Sequence, residues 1–585
     1  MLKPKIVKQI IVGVVANGTF AVGGSMPELP AMPSLPATQP VDSVPIGSLD
    51  GAPEVKLDLP IAKGPFEPTW ASIEKNYPGT PDWLREAKFG IWVHFGPQAS
   101  GESGDWYARK MYVPGTTAYK SHLAKYGPPS HSGYKEVLRD WNPTKFDPAA
   151  LTAIYRDAGA KFLMIQGVHH DNFDLWNSRY QPWNSTRLGP KRDLLGEWEK
   201  ACRADGMRFG VTFHHEYTWW WWQTAFMADK TGPDAGVPYD GHLTLADGKG
   251  KWWEGLDPRL LYGVDLREYK GVTEAAMSPW SPPPKGTFTL HADYAKWYAT
   301  WWALRMIDVA EKYSPDFIYT DGTSTQPFSG EGTGAGLKAD AMQTVIADFY
   351  NRTLARRGKV DTFSIVKFRP QTNGTVNTEE FGIPADIKTD QPWIGEAQVG
   401  DWFYAPGFTY DSGMMIRYII EAAARDGNAC VCVCPRPDGS LDDGSLKMLK
   451  EVGEWMRRNG QAIYGSHAWA IPGEGDQVGG HLKMIPRGAL NKQHAESQFS
   501  SKDFRFTVGK DGALYVLCMT VPDANSTLNV TSLGTTANRL GRPITRVTLL
   551  GYPGKALSWT QQTGALSIVC PDEMRLATSV VFKVE

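Results

Sequence analysis

The sequence lacks the features that define several classes of protein. Its six cysteines are too few for a disulfide-dense scaffold in 585 residues, and its net charge of −2 gives no basic excess for a nucleic-acid backbone. No apolar run is long enough to cross a membrane. Beyond the N-terminal region there is no low-complexity tract and no internal repeat. We therefore expect neither nucleic acid nor a membrane as a partner.

Aromatic residues, by contrast, are abundant. They reach 12% of a chain that is 42% hydrophobic and 21% charged, and they include 23 tryptophans. This balance predicts a large buried core. The broad apolar ring of tryptophan also suits the C–H faces of a sugar ring. The composition favours a carbohydrate or another ring-shaped ligand, although a tryptophan-rich core alone would give the same composition.

The first 65 residues predict two segments that precede the folded part. Lys3, Lys5 and Lys8 stand before an apolar run and a patch of small residues, which is the order of an export signal. We assign residues 1–25 to this signal and expect a secreted or periplasmic protein. Residues 26–65 contain closely spaced prolines, which predict an extended linker.

Residues 66–472 alternate short apolar runs with longer helical patterns. The runs are nearly continuous, as in strands buried on both faces, and they comprise residues 89–95, 162–168, 208–213, 317–321, 363–368 and 429–434. Alternation over this length predicts an α/β fold of the (β/α)8-barrel type. A doubly wound sheet is the alternative, but no glycine-rich phosphate turn follows the first run.

The pattern changes at about residue 473, where helical periodicity ends. Short strand patterns then follow, separated by Gly, Pro, Asp and Asn, at 504–508, 513–519, 526–530, 544–550 and 580–584. These patterns predict that residues 473–585 form a small antiparallel β-sandwich.

In such a barrel the functional side chains follow the carboxyl ends of the strands. That rule selects a set of polar residues, namely His94, His169, His170, Asp171, His214, His215, Glu216, Asp321 and Arg369. Histidine pairs could bind zinc, but there is no His-Glu-x-x-His motif, and adjacent side chains on one strand point in opposite directions. Hydrogen bonding to the hydroxyl groups of a polyol explains the same histidines, so we expect no metal and no cofactor.

Asp321 stands directly after an apolar run and before Gly322. Hydrolysis of a glycosidic bond needs two carboxyl groups, one ionised and one protonated near neutral pH. Asp321 is a candidate for the first of these. Glu379, Glu380 and Glu396 lie downstream and are candidates for the second.

Several segments resemble the α-L-fucosidases of glycoside hydrolase family 29. They are Trp83–Gly96, which ends Phe-Gly-Ile-Trp-Val-His-Phe-Gly; Asp105-Trp106-Tyr107; His169-His170-Asp171-Asn172-Phe173; Gly189–Leu194, which reads Gly-Pro-Lys-Arg-Asp-Leu; Asn428–Gly439; and Gly453–Tyr464. Together these segments run over the whole predicted barrel.

The resemblance implies an exo-acting, retaining hydrolase that releases terminal α-L-fucose from a fucosylated glycan or polysaccharide. It puts Asp321 in the place of the nucleophile and Arg369 in that of a substrate-contacting arginine. Family spacing puts the acid/base slightly beyond that arginine, which Glu380 fits better than Glu379 or Glu396. The implied sugar contacts come from His94, Asp105, Trp106, His169 and His170, with His214 or His215 in place of a tyrosine.

The sequence also departs from the family pattern. Asp105 stands where glutamate is common, and Cys432 and Cys434 replace an asparagine and a glycine of the last strand. These differences leave two alternatives open. One is a relative that hydrolyses a similar sugar, such as an α-L-galactoside, and the other is a non-catalytic carbohydrate-binding protein built on the same barrel.

Overall fold

The computed structural model describes residues 26–34, 54–216, 218–265, 292–321, 338–367, 373–380, 382–390, 392–408, 411–478, 499–552, 556–574 and 578–585. Eight parallel strands form its central sheet: β1 (Phe89–Val93), β2 (Phe162–Val168), β3 (Arg208–Phe213), β4 (Phe317–Thr320), β5 (Phe363–Val366), β6 (Asn377–Glu380), β7 (Trp393–Gln398) and β8 (Asn428–Cys432). They neighbour one another in the order β5-β4-β3-β2-β1-β8-β7-β6.

The two outer strands of this order also meet. The N–H of Val376, just before β6, donates to the carbonyl of Ser364 in β5 at 2.9 Å, and Val376 forms a parallel bridge with Ile365. The sheet therefore closes on itself, and the predicted (β/α)8-type barrel is confirmed.

Most barrel strands are buried on both faces, which explains their continuous apolar sequences. Every residue of β1 and β2 is buried, for example. β6 is the exception, since its sequence is Asn-Thr-Glu-Glu and three of its four residues are only half-buried. Its place is set by pairing with β7, where Glu379 lies opposite Gly395 and Glu380 opposite Glu396.

The helices pack around the barrel. Several begin after an aspartate whose side chain accepts a hydrogen bond from the first turn, as Asp147, Asp193 and Asp442 do. The helices span Trp70–Asn76, Asp82–Ala87, Tyr107–Lys110, Thr117–Tyr126, Tyr134–Asp140, Pro148–Asp157, Leu194–Ala204, Thr218–Trp221, Arg259–Tyr262, Ala292–Tyr313, Ala341–Arg357, Ser412–Ala424 and Asp443–Asn459. Within the described chain, none of them is long and apolar enough to span a membrane.

The C-terminal part is antiparallel, as predicted. One sheet has the order His467–Glu474, Phe504–Val508, Leu514–Cys518, Val580–Val584, Val547–Leu549, and a second has the order Thr527–Val530, Leu566–Val569, Trp559–Gln561. A separate apolar core that includes Phe506, Val516 and Ile568 joins the two sheets. The strands at 467–474, 559–561 and 566–569 were not among the predicted ones.

The predicted linker is described at residues 26–34, which form no helix or strand, and from residue 54, where Glu54–Val55 is a short strand that pairs in parallel with Lys338–Ala339. Tyr180 donates its hydroxyl to the carbonyl of Pro27 at 2.8 Å, and Trp297 donates its indole N–H to the carbonyl of Pro30 at 2.8 Å. The export signal predicted for residues 1–25 lies outside the described residues. The boundaries at residues 25, 65 and 472 stay predictions.

Candidate active site

The carboxyl ends of the barrel strands bring the predicted site residues together. His94 follows β1, His169 and His170 follow β2, His214 follows β3, and Asp321 follows β4. All five side chains are buried. Arg369, which was predicted to contact the substrate, lies outside the described residues.

The side chain of Lys367 contacts two carboxyl groups, those of Asp321 and Glu380. The ammonium Nζ of Lys367, directly after β5, lies 2.6 Å from Oδ1 of Asp321 and 2.8 Å from Oε2 of Glu380. Since both oxygens touch the same nitrogen, they cannot be farther apart than these two contacts laid end to end, 5.4 Å. Tyr319 also donates its hydroxyl to Oδ1 of Asp321 at 3.2 Å.

The three candidate glutamates occupy different environments. Glu379 and Glu380 are consecutive in β6, so their side chains leave opposite faces of the strand. Glu379 turns away from the pair and binds Lys388 at 2.5 Å. Glu396 is fully buried beside Glu380, and its Oε2 lies 3.5 Å from the hydroxyl of Tyr319.

Burial controls the protonation of these acids. It raises the pKa of Glu380. The positive charge of Lys367 opposes this increase, and the negative charge of the nearby Asp321 adds to it. Burial likewise raises the pKa of Glu396 well above its ordinary value. Glu380 and Glu396 therefore both favour the protonated form more than a free glutamate does.

The histidines present complementary hydrogen-bonding groups. Nδ1 of His170 donates to the carbonyl of His214 at 2.6 Å, and burial lowers the pKa of His170 to about 4. The ring is therefore neutral, and its Nε2 is an acceptor 3.6 Å from Oδ2 of Asp321. Nδ1 of His169 accepts from the amide of Gln98 at 2.8 Å, which leaves the proton on Nε2. The two adjacent rings thus offer one acceptor and one donor, as pairs of hydroxyl groups require.

Three histidine rings are also close enough to share a metal ion. His94, His169 and His214 each offer a ring nitrogen within 4.8 Å of the others, and Nε2 of His94 lies 3.3 Å from Nε2 of His214. The hydrogen bond from Gln98 already occupies the lone pair on Nδ1 of His169. Sugar hydroxyl groups can form hydrogen bonds with these rings while the bond between Gln98 and His169 stays in place.

His215 points away from this cluster. Its Nε2 lies 3.4 Å from the carbonyl of Trp302, on the helix side of β3. His214, which stacks on His169 with ring centroids 4.5 Å apart, is therefore the histidine that reaches the site after β3.

An acidic, aromatic wall flanks the histidines. Asp105 accepts from the backbone N–H of Trp106 at 2.8 Å, and burial together with the charge of Asp401 raises the pKa of Asp105 to about 7. The ring of Trp106 stands edge-on to His170 at 6.1 Å, and Phe403 stacks on His94 at 5.5 Å. The predicted contacts Asp105 and Trp106 therefore do lie beside the histidine cluster.

Two cysteines close the other side of the site. The Sγ atoms of Cys432 and Cys434 lie 3.5 Å apart, and Cys432 lies 3.7 Å from Nδ1 of His94. Although burial alone raises the pKa of a thiol, Cys434 and His94 lower that of Cys432 to about 6. Both cysteine side chains are buried, and Cys432 lies beside His94.

Lys367 and Glu216 were not singled out by the sequence as parts of the carboxyl site. Lys367 does have a sequence signal, because it is a charge placed directly after an apolar strand. Glu216 accepts from the hydroxyl of Thr320 at 2.9 Å, next to Asp321, and burial raises the pKa of Glu216 to about 8.

A closed parallel barrel with two carboxyl groups and a cluster of buried histidines at its carboxyl end is an arrangement suited to a glycoside hydrolase. The family comparison is specific on this point. Residues 55–461 match the model of the α-L-fucosidase family, and residues 497–585 match the model of the α-L-fucosidase C-terminal domain. The chain belongs to the α-L-fucosidase family, whose members are glycoside hydrolases.

Individual relatives agree with this assignment. The tissue α-L-fucosidase of Rattus norvegicus is 23% identical over 510 residues, which is 85% of this chain and 86% of the relative. The plasma α-L-fucosidase of Homo sapiens is 22% identical over 69% of this chain and 73% of its own length. The crystal structure of Thermotoga maritima α-fucosidase is similar with a TM-score of 0.60 and 19% identity, over 89% of this chain and 100% of that one. This last likeness concerns the fold.

Proposed function

We propose that the protein releases terminal α-L-fucose from glycans with retention of anomeric configuration, using Asp321 as nucleophile and Glu380 as acid/base. The observation that supports retention most directly is the upper limit of 5.4 Å between Oδ1 of Asp321 and Oε2 of Glu380. Retaining enzymes hold their carboxyl groups about 5–5.5 Å apart, whereas inverting enzymes need about 6.5–9.5 Å to admit a water molecule.

In the first step, an oxygen of the Asp321 carboxylate forms a bond to the anomeric carbon. The bond from that carbon to the leaving oxygen breaks, and this oxygen takes the proton of Glu380. In the second step, water attacks the same carbon and gives its proton to Glu380, while the bond to Asp321 breaks. Both carboxyl groups are then back in their starting forms.

The buried histidines bind and orient the sugar in this proposal. His170, whose Nε2 lies 3.6 Å from Oδ2 of Asp321, accepts a hydrogen bond from a hydroxyl close to the anomeric carbon. His169, His94 and His214 complete the polar surface, with Trp106 as an apolar wall. Hydrogen bonds of this kind strengthen as positive charge develops on the sugar ring, so they favour the transition state.

Release of nitrophenol from the aryl α-L-fucoside, compared with the α-L-galactoside and the β-D-galactoside, tests the substrate. We expect the α-L-fucoside to react fastest and the first product detected by NMR to be α-L-fucose. Preference for the α-L-galactoside would instead support the relative with a similar sugar. Binding of fucose without any turnover would support the non-catalytic alternative.

The nucleophile is tested by Asp321→Asn. We expect turnover to fall at least ~10³-fold, because the covalent step is lost and each tenfold corresponds to about 1.4 kcal/mol. A folded variant that retained more than a tenth of wild-type activity would contradict the assignment.

A further inference from the structure

Lys367 is a buried cation placed between the two carboxyl groups, and the two steps above do not use it. Its side chain is only 5% exposed, and its Nζ contacts Asp321 at 2.6 Å and Glu380 at 2.8 Å. An ammonium group is costly to bury unless it is paired. These contacts keep Lys367 charged, so the carboxyl pair has a fixed positive neighbour.

The other groups that face the pair supply no comparable positive charge. Glu396 and Tyr319 carry no positive charge, and burial lowers the pKa of His170 to about 4, so its ring is neutral. His94 also lowers the pKa of Glu380, but its effect is smaller than that of Lys367. Among the described residues, Lys367 is therefore the permanent cation in contact with both carboxyl groups.

We infer that Lys367 is a positioning residue that couples the two carboxyl groups through both steps, an inference that rests on the function proposed above. Before attack, the shared ammonium stabilises the Asp321 carboxylate. Once Asp321 is an ester of the sugar and Glu380 has given its proton to the leaving oxygen, the charge of Asp321 is gone. The ammonium then stabilises the Glu380 carboxylate, which is the base that the attacking water needs.

This coupling has a definite effect on pH dependence. A neighbouring positive charge makes a carboxyl group easier to ionise, by about one to three pH units at these distances. Removing it leaves the ionised carboxylates of both residues less stable. Both limbs of the pH profile of kcat/KM then move to higher pH. A residue that only supported the fold would lower activity without moving the two limbs together.

The test compares Lys367→Gln with Lys367→Arg, which keeps the charge. Lys388→Gln is the matched control, because it removes the same charge from Glu379 on the other face of β6. For Lys367→Gln we expect both limbs to move up by about one pH unit or more. We also expect at least a tenfold slower second step, seen as a burst of aryl leaving group before a slow steady state. Lys367→Arg should retain the wild-type limbs, and Lys388→Gln should not differ from wild type.

The outcomes separate this inference from the proposed function. If Lys367→Gln is folded and slower but has unmoved limbs and no burst, Lys367 does not couple the carboxyl groups, while the hydrolase function stands. If the wild-type protein hydrolyses none of the fucosides, the function itself is wrong. Should Lys367→Gln not fold, Lys367→Met takes its place.

Discussion

At the scale of single residues, the choice among the glutamates follows from strand geometry. Alternation along β6 sends Glu380 to Lys367 and Asp321, and sends Glu379 to Lys388. Glu396 points to the same interior as Glu380 but lies in the middle of β7, where it is completely buried beside Tyr319. Only Glu380 is both beside the proposed nucleophile and at the open end of its strand.

We therefore expect Glu380→Ala to lose most activity on a substrate with a poor leaving group and least on an activated aryl fucoside. The reason is that only the poor leaving group needs a proton. Added azide should restore turnover, because it attacks the glycosyl-enzyme without a base. Glu379→Ala is the control and should resemble wild type on both substrates. If Glu396→Ala showed the leaving-group pattern and Glu380→Ala did not, the assignment of the acid/base would be wrong.

The histidine pair gives a second test at this scale. His169→Ala and His170→Ala should each weaken transition-state binding by about 2–4 kcal/mol, measured as a loss in kcat/KM, because each removes a hydrogen bond to a sugar hydroxyl. Elemental analysis should find no stoichiometric zinc in the active protein. Activity that a chelator abolished and zinc restored would establish the metal interpretation of His94, His169 and His214 in place of this one.

At the scale of elements, the ends of β3 and β4 are joined through a buried acid. Oε2 of Glu216 accepts from Thr320, and none of the described residues supplies a hydrogen-bond partner for Oε1. Burial raises the pKa of Glu216 to about 8, from an ordinary value of about 4.3. The folded protein therefore binds a proton at Glu216 over a pH range in which the unfolded chain has released it.

This difference predicts a pH-dependent loss of stability. Between about pH 4.5 and 8 the folded state holds more protons at Glu216 than the unfolded state does, so the contribution of Glu216 to the free energy of unfolding falls as pH rises. Glu216→Gln keeps the shape and the acceptor for Thr320 but cannot ionise. Its melting temperature relative to wild type should rise between pH 5 and pH 8. A difference that stayed constant with pH would show that Glu216 does not change protonation on unfolding.

Elements also show which parts of the barrel a single sequence can predict. Strands β1 to β5 and β8 were predicted because they are continuous apolar runs, which burial on both faces requires. β6 was missed because its polar residues face the site and the surface, so that it has no apolar pattern. β7 was missed because Gly395, Glu396 and Gln398 interrupt its apolar pattern.

The site follows the same logic. His94, His169, His170, His214 and Asp321 were predicted because each follows a recognisable strand. Lys367 was not, because its role depends on which carboxyl groups the barrel brings to it. Asp321, Lys367 and Glu380 lie at the ends of β4, β5 and β6, far apart in the sequence, so no local sequence pattern predicts their contact.

At the scale of the whole molecule, a buried ionic cluster joins the barrel to the C-terminal sandwich. Glu421, on the barrel helix Ser412–Ala424, contacts Arg505 of the strand Phe504–Val508 at 2.5 Å and also pairs with Arg425. All three side chains are buried. Trp455 adds a hydrogen bond of 3.0 Å from its indole N–H to the carbonyl of Ser579. These contacts predict that the two parts support each other's stability.

Glu421→Gln tests that coupling. Removing one partner leaves the charge of Arg505 buried without compensation, which costs about 3–5 kcal/mol in other proteins. We expect a melting temperature several degrees lower, or two separate unfolding transitions in calorimetry where the wild type has one. Arg546→Gln is the matched control, because it breaks an exposed ion pair with Glu585 at 3.9 Å and should change stability by less than about 1 kcal/mol.

The loss of stability expected for Glu421→Gln should depend on pH in one direction, which the pKa of Glu421 determines. Although burial alone raises the pKa of Glu421, Arg505 and Arg425 hold it below the ordinary value. The ion pair therefore stabilises the folded protein above the pKa that Glu421 has in the unfolded chain, about 4.3, and this contribution is lost as pH falls through the folded value. The deficit of Glu421→Gln relative to wild type should be full at pH 7 and shrink below about pH 4. A deficit that persisted unchanged in acid would mean that packing around residue 421, and not its charge, joins the two parts.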